Sequence, residues 1–190
     1  REEFNASTKR LAFPYGDYRE GQRTLAEHVL EAVCTRKKLF AEAPTGTGKT
    51  VATLFPAIKA LGAGYGSKIF YFTSKTTIAK AAADTFKLLK SGGLKGSAII
   101  ISARERICRC TPETCEPSVC GHADCCFERI NEATLDAVRN ETLFDREVVD
   151  RYADKHRVCP FELSLSLAEQ AIASVTRHVR STPLNLCTIR

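Results

Sequence analysis

Residues 43–50 read Ala43-Pro44-Thr45-Gly46-Thr47-Gly48-Lys49-Thr50. A glycine-rich turn followed by Lys-Thr fits a phosphate-binding loop, in which backbone N–H groups surround the phosphates of a nucleotide. In such a loop Gly48 permits close approach of the backbone, and Lys49 can reach the β- and γ-phosphates. The Thr50 hydroxyl can hold Mg²⁺, although Ala43 stands where the pattern usually opens with glycine. The run therefore predicts a nucleotide site.

The residues on both sides of this run agree with that prediction. Residues 38–42 (Lys-Leu-Phe-Ala-Glu) predict a short buried strand, and apolar residues at three- and four-residue steps over 51–61 predict a helix. Pro56 should bend that helix or loosen one hydrogen bond. A strand before the loop and a helix after it are the context the loop requires. An ordinary Gly/Thr turn is the alternative, and these flanks disfavour it.

The rest of the first half of the chain alternates between helix and strand patterns. Residues 1–18 predict an irregular lead-in, and residues 19–34 predict a helix. Strands are predicted at 68–73 and 97–102, with a helix over 76–90 between them. Because consecutive strands are separated by helices, we expect a parallel α/β sheet with right-handed crossovers.

The second half of the chain has a different pattern. Apolar periodicity fails between Ala103 and Cys126, and this stretch is rich in cysteine. Helical patterns return over 127–152 and again from Pro160, which suits the first position of a helix.

Composition and charge limit the classes of protein. The chain has 190 residues, 44% hydrophobic and 26% charged, which fits one globular domain or one domain with an insert. It has no apolar run of the roughly 20 residues that span a bilayer, so we expect no membrane contact. The phosphate loop points to a cytoplasmic location. It starts with Arg1 and contains no Met, which suggests a processed product or an excerpt.

The net charge of +6 is unevenly distributed. Residues 67–110 contain nine Lys or Arg and two acids, whereas residues 111–160 contain eleven acids and six bases. A basic block of this kind predicts contact with a polyanion, and a solvated lysine-rich helix face is the alternative.

Nine cysteines are many for this length, and in a cytosolic protein they suggest metal or cluster ligands. Three of them have the spacing C-x6-C-x4-C, and a fourth directly precedes a proline: Cys108, Cys115, Cys120 and Cys159. Four thiolates suit either Zn²⁺ or a [4Fe–4S] cluster, and the six-residue gap argues mildly against zinc. Further candidates are Cys110, Cys125 and Cys126, whereas Cys34 and Cys187 are predicted to be small buried hydrophobes.

Five stretches together resemble one family. They are Phe13–Gln22, the loop at 43–50, Tyr71–Thr76, Glu105–Cys108 with the cysteines that follow, and Val158–Glu162. In this order they resemble the iron–sulfur superfamily-2 DNA helicases of the XPD/DinG type, with the bacterial DinG-like branch the most similar. The resemblance covers roughly residues 1–170.

The resemblance implies a set of binding residues. Gln22 would read the adenine edge of ATP with Arg19 beside it, a role that suits a side-chain amide because it offers both a donor and an acceptor. Residues 43–50 would hold the triphosphate and Mg²⁺, with Lys49 and Thr50 as the catalytic pair. The motif Thr73, Ser74, Lys75 and Thr76 would touch single-stranded or forked DNA, and the four spaced cysteines would hold a [4Fe–4S] cluster.

The resemblance also implies a domain organisation. Residues 1–103 would form part of a RecA-like motor domain, 104–160 a mainly helical iron–sulfur insert, and 161–190 a return helix with a truncated or divergent tail. No Asp or Glu follows Glu169, so the Mg²⁺-binding carboxylates and the second motor domain are expected in a missing C-terminal part of the same polypeptide.

The parent protein would be an ATP-dependent 5′-to-3′ DNA helicase, and this piece alone would be inactive. The alternatives are a zinc-stabilised nucleic-acid-binding module and a phosphate-loop NTPase that is not a helicase.

Overall fold

The computed structural model describes residues 1–44, 46–110, 120–122, 126–177 and 187–189. Within these residues the helices are α1 (Glu2–Arg10), α2 (Gln22–Cys34), α3 (Lys49–Gly62), α4 (Thr76–Ser91), α5 (Arg104–Ile107), α6 (Cys126–Asn140), α7 (Arg146–His156) and α8 (Pro160–Gln170). The strands are β1 (Ile69–Thr73), β2 (Ala98–Ile101), β3 (Leu143–Phe144), β4 (Ala173–Arg177) and β5 (Cys187–Ile189).

These strands form one sheet in the order β3-β2-β4-β1-β5. The central strand β4 runs parallel to both neighbours, with Ala173 opposite Ile69 of β1 and Ala98 of β2. β3 is parallel to β2, whereas β5 is antiparallel to β1. The predicted α/β class with a parallel sheet is therefore confirmed, and the antiparallel strand β5 was not predicted.

Alternate residues of the strands face two separate cores. Ile69, Tyr71 and Ala98 belong to a core that α1, α3 and α4 cover. Ile99, next along β2, belongs with Phe144 of β3 to a second core that α6, α7 and α8 cover. The sheet is thus covered by helices on both faces, as expected for buried parallel strands.

The N-terminal segment is helical, so the prediction of an irregular lead-in over 1–18 was wrong for residues 2–10. The helix α1 packs on α3 where Gly62 has no side chain, since a Cβ there would collide with the side chain of Thr8. Lys59 of α3 donates from Nζ to the backbone oxygens of Thr8 (2.7 Å) and Leu11 (2.9 Å). A cation at these carbonyls stabilises the helix end, and partial burial lowers the pKa of Lys59.

The strand predicted at 38–42 is absent, and these residues form no strand in the structure. Phe40 is 80% exposed and Leu39 is 40% exposed. Strand propensity reflects the fit of a side chain to a pleated, half-buried surface, which requires a neighbouring strand. The strand β1 is hydrogen-bonded to β4 on one side and to β5 on the other, so β1 has no free side with which residues 38–42 can pair.

Residues 173–177 lie in the stretch predicted as a truncated or divergent tail, yet they form the central strand β4. Its polar residue Ser174 is fully buried between β1 and β2. The predicted helix that starts at Pro160 is confirmed as α8. The helical region predicted over 127–152 is split into α6 and α7 by β3.

The predicted iron–sulfur insert, 104–160, contributes β3 to the main sheet and α6 and α7 to its second core. The division of the chain at 103/104 and 160/161 stays a prediction. In the described part of the chain, no helix is both long and apolar enough to cross a membrane.

Candidate functional site

The glycine-rich loop leads directly into α3, which begins at Lys49. Gly46 (φ 87°) and Gly48 (φ 72°) adopt left-handed backbone conformations, which glycine reaches without steric cost. Gly48 is the N-cap of a 14-residue helix whose other face is buried in the first core. Unpaired N–H groups and the helix dipole favour an anion at such an end. The loop geometry therefore suits a phosphate group.

Lys49 lies folded over its own loop. Its Nζ donates to the backbone oxygens of Ala43 (2.9 Å) and Pro44 (2.6 Å). The Thr47 hydroxyl also donates to the oxygen of Pro44, at 2.9 Å. Thr45, the remaining predicted loop residue, lies outside the described residues. The ammonium group is thus held by neutral carbonyls, which a phosphate oxygen can replace with a stronger, charge-assisted hydrogen bond.

Two side chains, one just before α2 and one at its first residue, donate hydrogen bonds to the loop. Arg19 donates from Nη1 to the oxygen of Gly46 (2.7 Å), and Gln22 donates from Nε2 to the oxygen of Gly48 (3.2 Å). The Gln22 oxygen accepts from the backbone N–H of Arg19 at 3.0 Å, and Gln22 is only 3% exposed. A Cβ at Gly48 would collide with the Gln22 amide. Sequence reasoning placed these residues at the nucleotide but did not foresee their contact with the loop.

The predicted DNA-binding motif lies where β1 ends and α4 begins. Thr73 is 1% exposed, and its hydroxyl lies 3.3 Å from both the backbone nitrogen and the backbone oxygen of Lys75. Ser74, Lys75 and Thr76 are exposed. Thr73 therefore shapes the turn, and the other three side chains are available to a ligand.

The predicted metal ligands are only partly described. Cys120 and Cys159 are buried, Cys108 is half-buried at the end of α5, and Cys115 lies outside the described residues. Among the residues that the structure describes, no three His, Cys, Asp or Glu side chains form a group that could hold a metal ion.

The remaining cysteines discussed above include two alternative ligands, Cys110 and Cys125, and Cys34, which was predicted to be buried. The Sγ of Cys110 lies 3.0 Å from the Sγ of Cys120, so this alternative ligand adjoins a predicted one. Cys125 lies outside the described residues. Cys34 is half-buried, less buried than predicted.

Ion pairs connect the cysteine segment, the cysteine-rich stretch between Ala103 and Cys126, to α7. Arg109, between two of the cysteines, pairs with Asp154 and lies 3.8 Å from Asp150, both on α7. The hydrogen bond from Arg109 lowers the pKa of Asp154. Asp136 of α6 accepts from Lys155 (2.6 Å) and contacts the His156 ring (2.7 Å), which together lower the pKa of Asp136. These pairs join α6 and α7 beside the cysteine segment.

Comparisons with known proteins agree with the nucleotide-binding geometry. Residues 20–112, just under half of the chain, match the family described as DEAD/DEAH box helicase. A stretch of 46 residues, 24% of this chain, is 41% identical to a protein of Methanocaldococcus jannaschii named Probable ATP-dependent helicase. That stretch spans only 7% of the relative's length.

Both similarities point to the helicase superfamily, whose DEAD/DEAH members use ATP and Mg²⁺. The α/β sheet described above is consistent with part of a RecA-like helicase domain. Neither comparison distinguishes the iron–sulfur XPD/DinG type from other helicases.

Proposed function

We propose that this chain is the ATP-binding part of an ATP-dependent DNA helicase of the XPD/DinG type. The observation that carries the proposal is the loop at the start of α3, with two left-handed glycines and Lys49 directly after them. The match of residues 20–112 to DEAD/DEAH box helicases supports the same activity.

The side chains of the loop have distinct roles in this proposal. Lys49 leaves the oxygens of Ala43 and Pro44 and donates to the β- and γ-phosphates instead. The Thr50 hydroxyl would hold Mg²⁺. A bound Mg²⁺ would neutralise the negative charge that develops on the phosphate oxygens. Because a Cβ at Gly48 would collide with the Gln22 amide, the loop has no room for a side chain at position 48. The residues present therefore fit a nucleoside triphosphate.

Nucleic-acid contact is the second part of the proposal. The exposed Ser74, Lys75 and Thr76 present two hydroxyls and a cation, which are the groups that contact a sugar-phosphate backbone without reading its sequence. DNA as the substrate and 5′-to-3′ movement follow from the family resemblance alone. A cytoplasmic location likewise stays a prediction.

We further propose that residues 1–190 bind ATP without turning it over. Phosphoryl transfer needs a carboxylate to hold Mg²⁺ and a group that positions the attacking water. Residues 170–190 contain no Asp or Glu, so this stretch does not supply one.

The proposal includes an iron–sulfur cluster. Cys108, Cys115, Cys120 and Cys159 are its proposed ligands on the family resemblance, and the described residues contain no assembled set of three metal-binding side chains. No step of the mechanism is therefore drawn through a cluster.

A zinc-stabilised nucleic-acid-binding module is the second candidate function, because four thiolates also suit Zn²⁺. Two thiolates on one tetrahedral zinc, with Zn–S bonds of about 2.3 Å, lie roughly 3.8 Å apart. The Cys110 and Cys120 sulfurs are 3.0 Å apart, well below that value, so their separation does not itself support a zinc site.

Replacement of one lysine tests the nucleotide site. We expect Lys49→Ala to weaken binding of a fluorescent ATP analogue by about 10- to 100-fold, since a charge-assisted hydrogen bond contributes about 1.5–3 kcal/mol. Lys38→Ala is the matched control, because Lys38 is also a lysine close to the loop in sequence and its side chain is exposed. Equal affinity of the Lys49→Ala variant and the wild type would show that the loop does not bind the triphosphate.

A further inference from the structure

A crevice of about 330 Å³ lies outside the described nucleotide loop, between α4 and the starts of α5 and α7. Its apolar lining includes Ile100 and Ile101 at the carboxyl end of β2 and Leu143, the first residue of β3. The carboxyl ends of parallel strands are where open α/β sheets usually bind their ligands. This position therefore makes the crevice a candidate binding site.

Within the described part of the chain, three cations around the crevice form no ion pair. Lys80 and Lys87 project from α4 and Arg106 from α5, and none forms an ion pair with any described residue. The two lysines are seven residues apart, which is two helical turns and about 10 Å along one face of α4. All three side chains are exposed.

The acidic side chains of the crevice neutralise these cations only in part. Asp145 is occupied as the N-cap of α7, where its Oδ1 accepts from the N–H of Val148 at 3.1 Å. Arg146, the fourth cation of the lining, is paired with Asp150 at 3.4 Å. The lining as a whole contains four cations and three carboxylates, Asp84, Asp145 and Glu147, so its formal charge is +1.

The crevice is also continuous with the proposed nucleic-acid contact. Thr76, the last residue of that motif, lies at the start of α4 and lines the crevice. A strand bound at Ser74–Thr76 would thus meet Lys80 and Lys87 further along the same helix. An aliphatic floor between cations suits a sugar with a phosphate on either side.

We propose that this crevice binds the backbone of single-stranded DNA, with Lys80, Lys87 and Arg106 as phosphate contacts. The proposal rests on the proposed function and adds a second stretch of contact to it. It also predicts an opposite role for Asp84, which lies between the two lysines on α4 and repels the same phosphates.

Binding of a fluorescent oligo-dT to the protein, measured by anisotropy at several salt concentrations, tests this site. Each of Lys80→Gln, Lys87→Gln and Arg106→Gln should raise the Kd about fivefold near 0.1 M salt. Each should also reduce the slope of log Kd against log salt concentration by about 0.7, the value for one phosphate contact on a single strand. Asp84→Asn should tighten binding about twofold.

The matched control is Lys37→Gln, which removes the same charge from an exposed position outside the crevice and should leave the Kd and the slope unchanged. ATP binding should be unaffected in every variant, which shows that the fold is intact.

Wild-type affinity and salt slope in all three cation variants would overturn the proposed DNA site in the crevice and leave the proposed function standing. A wild-type protein that binds no oligo-dT would overturn the crevice together with the nucleic-acid part of the proposed function. Weaker binding of poly-glutamate with unchanged oligo-dT binding would assign the crevice to an acidic protein partner and overturn the proposal.

Discussion

The phosphate loop and the cysteine segment both contain side chains that suit a bound ligand, but they are positioned in different ways. The loop is a single run of eight residues at the end of a helix, and Arg19 and Gln22 hold it through its own backbone oxygens. The predicted cysteine ligands span 52 residues, from Cys108 to Cys159, and depend on several elements, from α5 to the start of α8. A contiguous site needs only local geometry, whereas a dispersed site needs the tertiary structure to bring its ligands together.

The largest expected effect is the loss of metal from the cysteine segment. If Cys120 is a ligand, Cys120→Ser should abolish the iron and acid-labile sulfide of anaerobically purified protein. Metal-coupled folding is worth on the order of 10 kcal/mol in small metal domains, so the segment should also lose its resistance to proteolysis. Metal analysis and limited proteolysis are the measurements.

Two controls accompany this experiment. Cys34→Ser, a half-buried cysteine of α2, should retain the wild-type metal content. Cys110→Ser shows whether the neighbour of Cys120 is itself a ligand. A colourless wild-type protein with one zinc would favour the second candidate function, and a protein without metal would refute both kinds of metal site.

An intermediate effect is expected at the phosphate loop. Gly48→Ala places a side chain at a left-handed position, at a cost of about 1–2 kcal/mol, and against the Gln22 amide. ATP affinity should therefore fall about tenfold or more, as measured with a fluorescent analogue.

A second substitution separates the two causes. Gln22→Ala alone should weaken ATP binding, because Gln22 donates to the loop at the Gly48 oxygen. In the double variant Gly48→Ala/Gln22→Ala the collision is removed and the backbone strain remains, so the total loss of affinity should be smaller than the sum of the two single losses. If the double variant binds ATP more weakly than the sum of the single effects predicts, the contact of Gln22 with the loop is not what limits the size of residue 48.

The smallest effect concerns the ion pairs beside the cysteine segment. The pKa of Asp136 is lowered in the folded protein by its hydrogen bonds to Lys155 and His156. Its contribution to stability is therefore present above the unfolded pKa of about 3.9 and is lost as the pH falls through the lower, folded value. Asp136→Asn should slightly lower the urea midpoint at pH 7, and the difference from wild type should shrink below about pH 4.

Glu128→Gln, a charge removal at an exposed position of the same helix, is the control for this measurement. A difference between Asp136→Asn and wild type that does not change with pH would show that the charge of Asp136 does not stabilise the contact between α6 and α7.

The prediction at 38–42 shows where local patterns mislead. Its apolar residues have strand character, but no strand pairs with them and Phe40 is mostly exposed. Conversely, residues 173–177 were predicted to belong to a truncated or divergent tail, yet they form the central strand. Pairing with β1 and β2 determined this outcome, and a pattern within five residues does not contain that information.

The sequence by itself determined the features that depend on neighbouring residues. They include the glycine loop before α3, the strand β1, the start of α8 at Pro160 and the alternation that predicts an α/β sheet. Backbone conformation and helix capping are set within a few residues, so a local pattern suffices for them.

The tertiary structure alone decided the features that join distant parts of the chain. They include the packing of α1 against Gly62 and Lys59 and the hydrogen bond from Gln22 to the loop. They also include the order of the strands and the crevice beside α4. Each depends on side-chain volume or on a hydrogen-bond partner many residues away, because packing and pairing energies belong to contacts in space and not to positions along the chain.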